Sequence, residues 1–416
     1  MLVRRRAHRP FVVGLAAAAL LTAGGSVTAQ SAPAPEAPAA EAPGEDDCDG
    51  KDPAAQPSAA PGDALRVATY NIHFGIPAGA DDTVPGTDDL DGTAAAIRAQ
   101  NADVIGLQEV HHKDAWHGDQ PTALAAKLKD LYPYAKYHTN SENNSGGHTG
   151  EAGNMLLSKH PIKQEKHLPL PEGEHVRRGL HGIQIDVGGT PVWVYTTHYS
   201  AGYDAAGLAQ REGEARATIE ALGSAKQPVV LTGDFNARPY DRLMPWFADA
   251  GWVDSWTALH RGDAGCTFPA DKPIARIDYA YASPTLDIAA AAVPQQPDSD
   301  HRALVVDFKL PAKPVDKSAG VVTAADGQSG NGNLTTYKDG TARLRVCDTK
   351  ADGYAVRATG YDPATNKDFL TRTDPQQADS CYSATGTAPA PGSAALRVCL
   401  IKSGEPPRDC RTERLG

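Results

Sequence analysis

The sequence lacks any apolar run able to cross a bilayer once its first thirty residues are passed. Phe11 to Leu21 is apolar but short, and nothing later approaches the ~20 consecutive apolar residues of a spanning helix. Positive charge is also scarce. Forty Lys and Arg stand against 51 Asp and Glu, a formal net charge of -11. That balance argues against a large nonspecific basic groove for a polyanion, although a bound divalent cation and a few arginines suffice to capture one phosphate. The acidic run Glu45 to Gly50 lacks the spaced ligands and closing Glu of an EF-hand Ca²⁺ loop. His111-His112 is expected to be a solvated loop and not a zinc site, and Gly146-Gly147-His148 a flexible loop.

What is present begins with an export signal. Arg4, Arg5, Arg6 and Arg9 precede the apolar stretch, and Val27-Thr28-Ala29 is a small-x-small exit, so residues 1–29 are expected to be a signal peptide cleaved after Ala29, by the Sec or the twin-arginine route. Losing those four arginines takes the charge from -11 to -15, and the mature protein is expected to be a secreted, extracellular monomer. Residues 30–63 are mostly Ala, Pro, Gly and acidic, with too little apolar surface to offset ordering entropy, and read as a disordered linker. Six cysteines in an exported chain suggest disulfides, with Cys347–Cys381 and Cys399–Cys410 the favoured pairs; Cys48 and Cys266 either pair or stay free.

Residues 64–310 alternate short apolar strands with amphipathic helices, enough for one sizeable core. Strands are expected at 65–72, 103–110, 153–158, 179–187, 192–199, 228–233, 277–282 and 303–308, and helices at 91–100, 121–132, 205–222 and 240–250. Residues 311–319 form a Pro/Lys linker. Residues 320–416 show short strand-like segments among turn residues, a small disulfide-stapled β domain of unreadable role.

Chemistry-bearing residues recur at the ends of the apolar strands. Glu109 closes Val104 to Gln108, where a carboxylate can hold a cation. Asp234 and Asn236 follow Pro228 to Gly233 at i and i+2, so their side chains share a direction if the segment is extended. His198 ends another strand, Asp278 adjoins a third, and Asp300-His301 sets an acid beside an imidazole before the last. Singly each fits a polar turn. Their repetition at strand ends points to one site.

In order, Thr-Tyr-Asn-Ile at 69–72, Leu-Gln-Glu-Val at 107–110, Gly-Asn-Met-Leu-Leu-Ser at 153–158, Thr-Thr-His at 196–198, Gly-Asp-Phe-Asn-Ala at 233–237, Arg-Ile-Asp-Tyr at 276–279 and Ser-Asp-His at 299–301 resemble the endonuclease/exonuclease/phosphatase superfamily, the deoxyribonuclease I-like enzymes. The resemblance spans roughly residues 64 to 310. It implies an α+β fold, a four-layer α-β-β-α sandwich, and a metal-dependent hydrolase of phosphoesters. It further implies Glu109, Asn71 and Asp300 around Mg²⁺ or Mn²⁺, and Asp234 and Asn236 orienting water and phosphate. Asp278 would support one histidine, and His198 and His301 would flank the phosphorus, with the general base left open between Asp234 and His301. Arg178 is expected near phosphate or on the surface, and Glu151 is expected to buttress His198. The substrate implied first is nucleic acid, then a phospholipid head group such as that of sphingomyelin, or an inositol phosphate; outside catalysis, a binding protein on a retired hydrolase scaffold is the other reading.

Overall fold

The computed structural model describes Cys48 and residues 64–415 apart from 144–149, 224–226, 261–262, 296–297, 312–314, 324–329, 349–352, 376–380 and 390–392. The expected signal peptide, the linker 30–63 except Cys48, and the loop holding His148 lie outside the described residues.

In chain order the first part comprises β1 (Ala64–Asn71), α1 (Leu90–Gln100), β2 (Val104–His112), α2 (Gln120–Lys127), β3 (Tyr134–Asn143), β4 (Gly150–Ser158), β5 (Ile162–Pro169), β6 (Gly179–Val187), β7 (Thr190–His198), α3 (Ala205–Leu222), β8 (Val229–Asp234), α4 (Met244–Asp249), β9 (Val253–Asp254), β10 (Asp278–Ala282), β11 (Asp287–Ala292) and β12 (Leu304–Lys309). The strands form two six-stranded sheets, ordered β11-β12-β1-β2-β4-β3 and β5-β6-β7-β8-β10-β9.

Period-two alternation decides what each sheet face meets. Leu65 and Val67 of β1 join Val192 and Val194 of β7 and Val230 of β8 in one cluster shared by both sheets. On the other face of β1, Ala68 and Tyr70 pack with Ala94 and Ile97 of α1 and Leu124 of α2. On the other face of β7, Trp193 and Tyr195 pack with Ala215 of α3 and Phe247 of α4.

α3 is capped by Asp204, which accepts from the Gly207 N–H at 2.8 Å. Its buried face is polar where it meets the loop after β7. Glu214 accepts from the Ser200 N–H at 2.8 Å, and Arg211 donates to the carbonyls of Ser200 and Gly202 at 2.7 Å each. These bonds fix the chain directly after His198.

Two expected helices are shorter than their patterns. α2 stops at Lys127 instead of reaching Tyr132, because the N–H groups of Leu131 and Tyr132 both turn back to the Leu128 carbonyl and Pro133 disfavours helix in the residue before it. α4 begins at Met244, with a proline in its first turn.

At the β3–β5–β6 edge, three imidazoles bridge the two sheets. The rings of His138 and His167 stack at 3.4 Å and 4°, and His181 stands edge-on to His138 at 5.7 Å with Nε2 3.1 Å from Glu165.

The second part holds β13 (Val315–Thr323), β14 (Gly330–Tyr337), β15 (Thr341–Asp348), β16 (Ala355–Asp362), β17 (Lys367–Asp374), β18 (Tyr382–Thr387), β19 (Ala395–Ile401) and β20 (Arg408–Arg414). β13 starts inside the stretch expected to be a linker, because Val315 and Lys317 already pair with Tyr337 and Thr336 of β14. The strands make two four-stranded sheets, β13-β14-β15-β18 and β17-β16-β19-β20, around Leu334, Leu344, Val356, Leu396 and Val398. Disulfides join Cys347 to Cys381 and Cys399 to Cys410, and a third joins Cys48 to Cys266. Arg343 pairs with Asp287, and Arg411 Nη1 with Asp249 Oδ1 at 2.7 Å, across to the first part. Among the described residues no helix is long and apolar enough to cross a membrane.

Candidate active site

β1 pairs parallel with β2, and β7 with β8, so both pairs present their C-terminal ends. The register sets Asn71 opposite Gln108 and His198 opposite Asp234, while antiparallel β10 starts at the same edge with Asp278 opposite Asp234. This is why the polar residues that close separate apolar strands meet.

Glu109 reaches the site through a bulge. Pairing with β4 passes from Leu107↔Met155 to Val110↔Gly153, one residue more on β2 than on β4, and Glu109 has φ 57°. A left-handed backbone is costly for a residue with a β-carbon and persists where the surroundings impose it. Asn71 steadies the carboxylate, donating from Nδ2 to Glu109 Oε1 at 3.1 Å and to Asp234 Oδ2 at 3.0 Å, while its Oδ1 accepts from the His73 N–H at 3.0 Å. Ser299 donates to the Asn71 carbonyl at 2.7 Å, which brings Asp300 to the end of β1.

Asp234 is the hub. Its Oδ1 accepts the Asn236 N–H at 2.8 Å; its Oδ2 lies 3.5 Å from His198 Nε2 and 3.7 Å from His301 Nε2. Those gaps exceed a hydrogen bond, and an oxygen seated beside the three atoms could reach all of them. Asn236 itself, at φ 47°, donates from Nδ2 to the Tyr199 carbonyl at 3.1 Å.

The two imidazoles are held in opposite ways. His301 Nδ1 lies 2.8 Å from Asp278 Oδ2. Burial opposes its charge, but Asp278, Asp234 and Asp300 outweigh it and push the imidazole up to about 10. His198 Nδ1 instead meets Arg178 Nη1 at 3.0 Å. A guanidinium only donates, so Nδ1 accepts and the neutral ring carries its proton on Nε2. Burial first, then Arg178 and His301, press His198 well below the usual histidine range. Burial raises Asp234, reinforced by Asp278 and opposed by His301.

Glu151 does not support His198. Its Oε2 lies 2.7 Å from His112 Nδ1 and accepts from Thr139 Oγ1 at 2.9 Å, because β4 pairs Glu151 with His112 on β2. The supporting role falls to Arg178. His111, expected in a solvated loop, is a buried residue of β2. Asn154 ties β4 to β6 by donating to the Gly179 carbonyl at 3.1 Å.

Around Asp234, two groups of residues offer themselves to a cation. Asp234, Asp278 and His301 bring ligand atoms within 4.8 Å of one another, but His301 is engaged with Asp278 and pushed toward its charged form, which cannot ligate. Glu109 and Asp300 remain accessible, their side chains 21% and 32% exposed, with Asn71 beside Glu109. That oxygen-rich set fits a hard divalent ion. The clustered carboxylates would otherwise repel a phosphate.

An open cleft of about 150 Å³ leads to the site, with Phe74, Glu109, Glu142, Asn154, Arg178 and His198 on its walls.

The model of the endonuclease/exonuclease/phosphatase family matches residues 68–301. The structure of an endonuclease/exonuclease/phosphatase from Beutenbergia cavernae DSM 12333 aligns with a TM-score of 0.70 at 31% identity, covering 85% of this chain and 100% of that one. The human Nocturnin catalytic domain with bound sulfate aligns at 17% identity and TM-score 0.46 over 60% of this chain and 96% of that one. A mannosyl-6-phosphatase from Bacteroides thetaiotaomicron VPI-5482 aligns at 19% and 0.45 over 59% and 99%. No curated protein matches. The coverage by the Beutenbergia structure extends beyond residues 64–310.

Proposed function

The chain belongs to the endonuclease/exonuclease/phosphatase family, whose members are hydrolases of phosphoester bonds, and from that premise we propose that it is a secreted, divalent-metal-dependent phosphodiesterase built on a four-layer α-β-β-α sandwich and acting first on nucleic acid. The observation that carries the reading is His198 Nε2. It is buried, has no hydrogen-bond partner among the described residues, and faces the space before Asp234. A neutral imidazole fixed with its proton there asks for an acceptor, and a phosphoryl oxygen supplies one.

Asp234, anchored at Oδ1 by Asn236 and at Oδ2 by Asn71, keeps a lone pair of Oδ2 toward the two imidazoles, accepts the proton of the attacking water and aims it. His301, oriented by Asp278, places positive charge opposite His198, so the developing phosphorane negative charge lies between two donors. Arg178 holds the His198 ring; Asn71 holds Glu109 and Asp234 in one register. Glu109 and Asp300, beside Asn71, would hold a Mg²⁺ or Mn²⁺ ion, which would supply Lewis acidity when bound. Three disulfides support an oxidising, extracellular address, and the helices packed on the outer face of each sheet support the four-layer arrangement.

A second substrate class is favoured by the cleft walls, where Arg178 stands with Glu109 and Glu142. Such a lining suits a compact phosphodiester, such as a phospholipid head group, better than a long polyanion. The test incubates the purified chain and Mg²⁺, with and without EDTA, with plasmid DNA, RNA, sphingomyelin, inositol phosphates and bis-p-nitrophenyl phosphate. Hydrolysis that EDTA abolishes and His198→Ala lowers about 10²–10³-fold is expected. Hydrolysis of none of these, or full activity in His198→Ala, overturns the reading.

A further inference from the structure

Two residues past Glu109, β2 leads into a second cluster that phosphoester hydrolysis does not use. His111, Asp114 and His117 are all buried, and each brings one donor atom to a common point, the three atoms lying within 4.8 Å of one another. The spacing His-x2-Asp-x2-His achieves this through a closed turn. Asp114 and Gly118 exchange backbone hydrogen bonds of 3.0 and 2.9 Å, and Asp114 Oδ1 accepts from the N–H groups of Trp116 at 2.8 Å and His117 at 3.2 Å. One carboxylate oxygen thus shapes the loop while Oδ2 faces His111 Nδ1 at 3.4 Å.

That separation is informative. A donor and acceptor in a hydrogen bond sit at about 2.9 Å. Two ligands of one tetrahedral zinc, with bonds of about 2.0–2.1 Å, sit roughly 3.3–3.4 Å apart. Outside the three, Asp88 Oδ1 lies 3.6 Å from His117 Nδ1. The Phe74 ring covers both imidazoles, at 4.2 Å from His111 and 5.9 Å from His117. Two imidazoles with one carboxylate suit a borderline-soft ion, whereas Mg²⁺ prefers oxygen donors and retained water.

We propose that His111, Asp114 and His117 form a structural site for a zinc-class divalent cation, distinct from the catalytic centre, with water as the fourth ligand. The ion clamps the loop 114–118 to the end of β2, and so braces the bulge that carries Glu109 and the Phe74 turn that follows His73. Its binding is independent of which phosphoester is cleaved.

The experiment loads the purified full chain with zinc, dialyses it against excess Mg²⁺, and measures metal per chain by mass spectrometry. Retention of a single zinc equivalent is expected in the wild type and in Glu109→Gln, with loss of that equivalent in His117→Ala and in Asp114→Asn. Cobalt(II) substitution should give the intense visible absorption of a four-coordinate N/O site, and zinc should raise the wild-type Tm by about 5 °C or more. No retained zinc in the wild type, or equal retention in both loop variants, overturns the site. If the loop variants do not fold, the wild-type stoichiometry and cobalt spectrum decide: a weak, six-coordinate spectrum overturns the site as well. Hydrolysis is not part of the readout, so a zinc-free active enzyme would sink this site alone, and a zinc-loaded inert one only the proposed reaction.

Discussion

Buried or half-buried imidazoles occur both in the cleft around Asp234 and in the stack at the β3–β5–β6 edge, and the two regions treat them differently. In the stack the rings satisfy one another: His138 lies flat on His167, and His181 turns its Nε2 to Glu165. In the cleft each ring is gripped at Nδ1, by Arg178 or by Asp278, and both Nε2 atoms point at the open side of Asp234. Burial of a histidine therefore says little about its role. What separates a structural ring from a working one is a fixed nitrogen on one side and space on the other.

The sharpest way to break the comparison is Asp234→Asn, which keeps the shape but removes the acceptor between the two rings. Turnover should fall about 10³–10⁴-fold with the Tm nearly unchanged. A drop under tenfold in steady-state assays would place proton transfer elsewhere. Smaller in effect, Arg178→Met frees His198 Nδ1. Activity should fall about tenfold, and ¹⁵N NMR should show His198 taking up a proton at higher pH than in the parent chain, since Arg178 is among the groups that depress it. An unchanged imidazole spectrum would mean that the guanidinium does not set the tautomer.

The stack is expected to reveal itself in stability and not in turnover. Burial, then the neighbouring imidazoles, push His167 down to about 4; burial, only partly offset by Glu165, does the same to His181. Both pKa values are depressed relative to an unfolded value near 6.5, so the unfolded chain binds protons more readily and stability is lost as pH falls from about 6.5 toward 4. For fully buried His181 the shift corresponds to roughly 3 kcal/mol, or about 5–10 °C in Tm between pH 7 and pH 4. Thermal melts across that range test it, and His181→Gln should flatten the curve. A melt of the parent chain that ignores pH would show that the stack is not neutral by design of its surroundings.

Much of the cleft was legible because its residues close apolar strands. β1, β2, β7, β8, β10 and β12 have cores of Val, Leu, Ile, Ala and aromatics, and a parallel pair must present its C-terminal ends together. The edge strands were not legible. β5 is mostly exposed, so Ile162 to Pro169 shows no buried alternation, and β11 is Asp-Ile followed by four alanines, a composition that favours helix when read locally. Arg178 and Arg177 look alike in sequence. Only the turn into β6 buries Arg178 against His198 while Arg177 stays exposed beside Glu172. Glu151 was misassigned because its partner depends on the register of β4 against β2. At His111 the five residues before His117 fall within the spacing of zinc-ligating histidines, but the sequence does not announce the turn at Asp114 that folds one over the other.

The Cys48–Cys266 bond gives the molecule a further property. It closes the backbone between those positions into a covalent ring, and Asn71, Glu109, His198, Asp234 and Asn236 all lie on that ring, while Asp278, Asp300 and His301 lie on the tail beyond it. A single proteolytic nick anywhere in the ring opens the circle but severs nothing. The chain can lose a peptide bond there and still keep every member of its candidate site on one connected molecule.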